Sequence, residues 1–243
     1  MLFDQAEYDL RCEWGLHGLL SLAPTSDVVV IVDVLSFSTA VDIAIANGAS
    51  VLPYRWKDDS ARRFADEKRA LLASGRSVPG EYSLSPASLR SIAAHTALVL
   101  PSPNGSALCL SATGILTFTA CLRNAPAAAR RISELGSRIA LIPAGEKWSD
   151  GTLRPGLEDL IGAGAVLSEL PGKPSPEAEL AVAAFQRFRR DLYDAVSRCG
   201  SGRELIEKGF ACDVEIAAEY SVSSSVPVLA GDRFVDDRFR AGA

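Results

Sequence analysis

The sequence predicts an α/β protein, a three-layer α/β/α arrangement around a largely parallel or mixed sheet, built as one unit or as two α/β lobes with the site between them. Three observations carry this. Val28-Val29-Val30-Ile31-Val32, entered from Asp27 and left at Asp33, is a β-branched run without polar alternation, as in a strand covered on both faces. Strand-like runs recur at Ser50 to Tyr54, Ala97 to Leu100, Ile115 to Ala120 and Ile139 to Pro143. Segments with helical patterning separate most of them, which is the alternation of an α/β chain.

In chain order, the strand Val28 to Val34 leads into a helix over Thr39 to Asn47, closed by Gly48. Asp58 to Ala73 reads as an amphipathic surface helix ended by Gly75, and Asn124 to Leu135 as a helix ended by Gly136. Asn124 is the expected N-cap there, and Pro126 suits a first turn that needs no amide hydrogen. Gly156 to Leu170 is a further helix, small and apolar through Leu160-Ile161-Gly162-Ala163-Gly164-Ala165, so it is expected to pack closely on the sheet. Ser175 to Tyr193 is a long helix, and Gly202 to Asp236 mixes a short helix with a final strand near Val226 to Leu229. The whole of 1–243 is expected to form one unit. Stretches rich in Pro, Gly and Ser at 74–86 and 171–176 are its hinge candidates.

Composition narrows the function. Lys and Arg number 25 against 30 Asp and Glu, a formal charge of -5, and the basic residues are dispersed rather than gathered into a patch. Nucleic acid is therefore not an expected partner, whereas a small anionic ligand fits. The five cysteines lack any Cys-x-x-Cys pair, which argues for reduced thiols rather than a disulfide framework or structural zinc. No apolar run is long enough to span a bilayer and no signal peptide opens the chain, so the expected protein is cytoplasmic and soluble, without a membrane partner, and free to form a homo-oligomer.

Open α/β sheets bind ligands beyond the carboxyl ends of their strands. Here those ends hold Asp33 with Ser36, Ser38 and Thr39, then Ser102, Asn104, Gly105 and Ser106, then Arg123 and Asn124, then Gly145 and Glu146. Each is followed by a helix start, whose free amides suit phosphate or carboxylate, although single hydroxyls and asparagines there also serve as caps. The carboxylates suited to a hard cation such as magnesium are Asp33, Glu81, Glu158 and Asp159, with Glu146 and Asp150 as outsiders. Glu158 and Asp159 are adjacent on a helix and point about 100° apart, so one faces the site while the other caps or orients. His17 and His95 are the only histidines, which sets aside histidine-rich metal chemistry.

Set in order, these pieces resemble the 2-phosphosulfolactate phosphatase family nearly end to end. The resemblance rests on Val32-Asp33-Val34-Leu35, Ala46-Asn47-Gly48-Ala49, Gly80-Glu81, Asn104-Gly105-Ser106-Ala107-Leu108, Leu122-Arg123-Asn124-Ala125, Ala144-Gly145, and Leu157-Glu158-Asp159 with Gly162-Ala163-Gly164. Gly202-Arg203-Glu204-Leu205, Gly209-Phe210, Asp213-Val214 and Val226-Pro227-Val228-Leu229 extend it toward the C-terminus. It implies a magnesium-dependent phosphatase that converts 2-phosphosulfolactate to sulfolactate and phosphate, an early step of coenzyme M biosynthesis. Asp33, Glu81 and Asp159 would be catalytic, and Asp33, Glu81, Glu158 and Asp159 would lie on the metal side. Ser36, Ser38, Thr39, Asn104, Gly105, Ser106, Arg123 and Asn124 would hold the substrate.

The chain departs from the family where an arginine commonly follows Asp-Val-Leu, since Ser36 stands there. Lys147, Arg154 or Arg123 is expected to replace that cation. A dehalogenase-type phosphatase would place an acid two residues after its nucleophile, and that position is Leu35. The alternative from another class is a catalytically silent relative that binds an anionic metabolite.

Overall fold

The computed structural model describes residues 3–55 and 58–239. The strands are β1 (Leu10–Cys12), β2 (Val28–Val32), β3 (Ser50–Tyr54), β4 (Leu71–Leu72), β5 (Ala97–Pro101), β6 (Leu116–Thr119), β7 (Ile139–Pro143), β8 (Glu146–Lys147), β9 (Leu153–Arg154), β10 (Pro227–Ala230) and β11 (Arg233–Asp236). The helices are α1 (Gly15–Leu22), α2 (Phe37–Ala46), α3 (Asp59–Lys68), α4 (Gly105–Cys109), α5 (Ala125–Ser133), α6 (Leu157–Leu167), α7 (Pro176–Phe188), α8 (Leu192–Arg198), α9 (Gly200–Glu207) and α10 (Ala211–Ala217).

Among the described residues, nine strands form one mixed sheet in the order β1-β7-β2-β6-β10-β11-β3-β5-β4, and β8 and β9 form a separate hairpin. The sheet contains two parallel groups, β1-β7-β2-β6 and β3-β5-β4. The antiparallel hairpin β10-β11 joins them through a single register pair on each side, Val228 with Phe118 and Phe234 with Val51.

The three layers follow from the uninterrupted apolar run of β2. Successive side chains of a strand point to opposite faces, so an all-apolar strand needs a cover on each. Val28, Val30 and Val32 enter a core with Ala129 of α5, Ile161 of α6 and Phe185 of α7. Val29 and Ile31 enter a second core with Leu19 of α1, Val41 of α2 and Leu108 of α4. Each fully buried side chain of this kind contributes roughly 1.5–3 kcal/mol. The close packing expected of the small residues in α6 is present: a Cβ on Gly162 would stand 2.6 Å from Val34, and one on Gly164 would run into the carbonyl of Ala181 in α7.

Several boundaries differ from the sequence reading. The helix expected over Asp58 to Ala73 stops at Lys68, where Arg69 turns left-handed (φ 51°) and Leu71–Leu72 pairs with β5 as an edge strand. The long helix expected to reach Tyr193 ends at Phe188, and α8 starts afresh after Asp191. β1, α1, α4 and β11 come from segments without a periodicity strong enough to announce them. Among the described residues no helix is long and apolar enough to cross a membrane.

Candidate functional site

β2 ends at Val32, and the next residue, Asp33, is buried where two strand ends meet. One carboxylate oxygen of Asp33 accepts the Phe37 amide at 3.2 Å, at the start of α2. The other accepts the Gly105 amide at 2.9 Å, at the start of α4 beyond β5. Asp33 thus bridges the two parallel strand groups. Its backbone is fixed as well, because the Asp33 amide donates to Ser38 Oγ at 2.8 Å and Ser38 Oγ meets Thr119 Oγ1 at 2.6 Å. Gly105 is required by proximity, since a Cβ there would overlap the Phe37 ring.

The end of β7 brings a second carboxylate. Gly145 sits at φ +65°, and a Cβ would lie 2.8 Å from Leu153 and 2.9 Å from the Arg154 carbonyl, so only glycine lets the chain turn into the β8-β9 hairpin. Glu146 follows at once, its Oε2 accepting from Asn104 Nδ2 at 2.8 Å. Asp159, in the first turn of α6, accepts the Val34 amide at 2.7 Å and the Gly145 amide at 2.8 Å. Both of its oxygens therefore hold loops in place. The adjacent Glu158 is also buried and accepts from the Cys199 thiol at 3.2 Å, and Cys199 Sγ in turn caps the Gly202 amide of α9.

Crowding these acids raises their proton affinity. Burial, followed by the charge of Glu158, pushes Asp33 up to about 6 against the opposing pull of the Phe37 and Gly105 amides. Burial and then the Asp33 charge push Glu146 up to about 7, with Asn104 pulling the other way. Asp159 is raised well above the ordinary carboxylate range by burial and by Glu158 and Asp33. Burial and the Glu158 charge push the Cys199 thiol up to about 12, so it is a hydrogen-bond donor rather than a thiolate.

Asp33, Ser36, Ser102, Asn104 and Glu146 line a cavity of about 300 Å³, a size for a small ligand. Its other wall comes from Arg76 and from Ser201, Glu204, Lys208 and Phe210 at the C-terminal helices. Arg76 donates to Ser36 Oγ, lies 5.7 Å from the centre of the Phe210 ring, and has Nη1 3.8 Å from Oδ2 of buried Asp213. Asp213 Oδ1 accepts from Ser85 Oγ at 2.5 Å and from the Ala87 amide at 3.2 Å, pinning the arginine's loop to α10.

The structure brings some expected site residues together and not others. Asp33, Ser36 and Asn104 share the cavity, while Gly105 reaches it through its amide to Asp33. Ser38, Thr39 and Ser106 spend their hydroxyls on the buried frame, Thr39 on the Val34 carbonyl and Ser106 on that of Leu100. Glu81 is exposed, bonded to Ser74, and lines a different cavity of about 840 Å³ whose acids, Asp58, Asp59 and Glu81, are all exposed. Arg123 is held by Asp42 at 2.8 Å and by Glu219, and Asn124 by the Cys121 amide and the Ser225 carbonyl, so neither lines the Asp33 cavity. Of the cations expected to replace the missing arginine, Lys147 and Arg123 do not reach Ser36. Arg154 donates to Ser201 of the cavity wall at 3.0 Å. The cation that contacts Ser36 is Arg76, which the sequence leaves inside an aperiodic Gly/Ser loop. Its single charge between Gly75 and Ser77 was the one available signal.

Among the described residues, no three His, Cys, Asp or Glu side chains gather into a ready metal-ligand set. Magnesium rarely needs one, because it takes one or two carboxylates and completes its shell with water and substrate phosphate. Asp33 and Glu146 are two such hard donors on one cavity, both raised chiefly by burial, and a bound cation would offset that cost. The donor chemistry fits.

The 2-phosphosulpholactate phosphatase family model matches residues 18–232. A protein of Pseudothermotoga lettingae named probable 2-phosphosulfolactate phosphatase is 26% identical over 86% of this chain and 92% of its own. Proteins of the same name from Symbiobacterium thermophilum and Carboxydothermus hydrogenoformans are 28% and 30% identical, over 83% and 82% of this chain and 91% and 84% of theirs. With a match of that extent laid over the Asp33 crevice, the chain belongs to the 2-phosphosulpholactate phosphatase family.

Proposed function

We propose that the protein is a magnesium-dependent phosphatase that hydrolyses a phosphate ester of a small anionic acid, 2-phosphosulfolactate being the substrate that its family and its relatives' names support. The observation that carries the reading is the convergence of Asp33 and Glu146, both raised by burial and charge, on one small cavity at strand ends. Such clustering of perturbed carboxylates in a cleft marks functional sites.

Asp33 and Glu146 would hold the metal, which when bound neutralises phosphoryl oxygens and makes phosphorus more electrophilic. The chain's own groups do the rest. The Phe37 and Gly105 amides fix the Asp33 carboxylate, and Asn104 fixes that of Glu146, so neither reorganises during the reaction. Asp159 locks the Val34 and Gly145 turns that present them, acting as a positioning residue. Ser36 and Ser102 add hydroxyl donors at the cavity wall for the phosphoryl oxygens.

The test is phosphate release from 2-phosphosulfolactate with magnesium and after chelation, for the wild type, Asp33→Asn and Glu81→Gln. Release that needs magnesium, collapses in Asp33→Asn and survives in Glu81→Gln is expected. Release indifferent to chelation would sink the metal assignment, and no release from any short phosphorylated acid would sink the phosphatase.

A further inference from the structure

We propose that Arg76 is the specificity-determining residue of this cavity and binds the non-reacting carboxylate of the substrate by paired hydrogen bonds. The proposal rests on the phosphatase reading above, which accounts for the carboxylate side of the cavity and leaves this cation unused.

The position of the side chain argues first. Arg76 enters from the loop after β4, contacts Ser36, and lies against Phe210, so it shares the wall formed by the C-terminal helices. The carboxylates that hold up its charge against burial are, in descending order, Asp213, Asp33, Glu146 and Glu204. It therefore leans toward α10 and only secondarily toward the acids that would take the metal and phosphoryl group. The other cation on this wall, Lys208, is paired with Glu204 one turn away.

The second argument is what Arg76 leaves unmade. A structural arginine in a buried pair forms a two-point fork with its carboxylate. Here Nη1 stops 3.8 Å from Asp213 Oδ2, which is buried without a hydrogen bond. Nη2 serves Ser36 and, at 3.4 Å, the Leu84 carbonyl, and among the described residues Nε and Nη1 make no hydrogen bond. Neither nitrogen is a buried orphan, since the Arg76 side chain keeps 19% exposure, so both donors remain open to an anion that enters the cavity. A guanidinium edge matches a planar carboxylate in a way an ammonium does not. The Phe210 face beneath it restricts the group to one plane.

Two substrates that differ in one group separate this from a role at the phosphoryl end: 2-phospholactate and its carboxamide, assayed with wild type, Arg76→Gln and Arg76→Lys. The expected result is a wild-type preference for the acid of ten-fold or more in kcat/KM, carried by KM. Arg76→Gln lowers kcat/KM for the acid at least ten-fold more than for the amide, and Arg76→Lys retains an intermediate preference. Equal losses on both compounds place Arg76 at the phosphoryl group or in the frame and overturn the proposal, as does an unchanged preference. If the wild type turns over neither compound, the phosphatase reading fails separately, and calorimetric titration with the same pair decides. Tighter binding of the acid that vanishes in Arg76→Gln supports the proposal, and indifference of binding to the substitution refutes it.

Discussion

Two buried polar clusters flank α2, and they are built on opposite rules. At its C-terminal half Asp42 is fully buried, yet it meets Arg123 at 2.8 Å and the hydroxyls of Ser223 and Ser225 at 2.6 Å each, while Arg123 also engages Glu219. At its N-terminal end Asp33 shares its surroundings with Glu146, Glu158 and Asp159, and no arginine or lysine forms an ion pair with any of the four among the described residues. The first cluster is satisfied and holds the C-terminal segment to the sheet. The second keeps charge unbalanced, a state a fold retains where a ligand completes it.

The largest effect should come from breaking the satisfied cluster. Arg123→Met leaves Asp42 buried without its cation and should cost about 3–5 kcal/mol in urea unfolding, with specific activity per folded molecule preserved. A stable variant that has lost activity would move Arg123 back into the site. Next, Asp33→Asn should lower turnover about 10²–10³-fold, the scale of removing one preorganised charge-stabilising contact, while the protein stays folded by circular dichroism.

The pH dependence of stability sharpens the contrast. Native Asp33 and Glu146 titrate near 6 and 7, above unfolded values of about 3.9 and 4.3. Between those limits the native state holds the extra protons, so their contribution favours folding below pH 4 and is lost as pH rises to 7. Without magnesium, thermal unfolding should therefore show a loss on the order of a few kcal/mol from pH 5 to pH 8, reduced in Glu146→Gln. A wild type whose melting temperature is flat over that interval would contradict the burial of uncompensated charge.

The smallest effect belongs at the surface. Asp27 accepts from Arg138 and from two backbone amides, chiefly the arginine, which lowers it to about 2. Its stabilisation is present above the unfolded pKa and lost as pH falls through about 2, the reverse of the Asp33 case. Because the pair is solvent-exposed, Asp27→Asn should cost less than about 1 kcal/mol at pH 7.

Local pattern made much of this legible. The β-branched run predicts β2 and therefore the place of Asp33, and Asn104-Gly105-Ser106 predicts a turn from strand to helix. Pattern could not divide Glu158 from Asp159, since the division depends on which one meets the Val34 and Gly145 amides. Nor could it place Arg76, whose loop is set by Ser85 and Ala87 reaching Asp213 on α10. Arg123 looked like a strand-end anion binder because its partner Asp42 lies in a helix far earlier in the chain.

The hairpin β10-β11 has a consequence for how the chain folds during synthesis. Until it emerges, β6 and β3 are unpaired edges of two half-sheets, and such edges invite pairing with other chains. Closure must wait for contacts of very long sequence separation, which are slow to form. A nascent or truncated chain ending before Pro227 should therefore accumulate as an aggregation-prone intermediate rather than a smaller stable protein, and the final strands act as the step that commits the polypeptide to solubility.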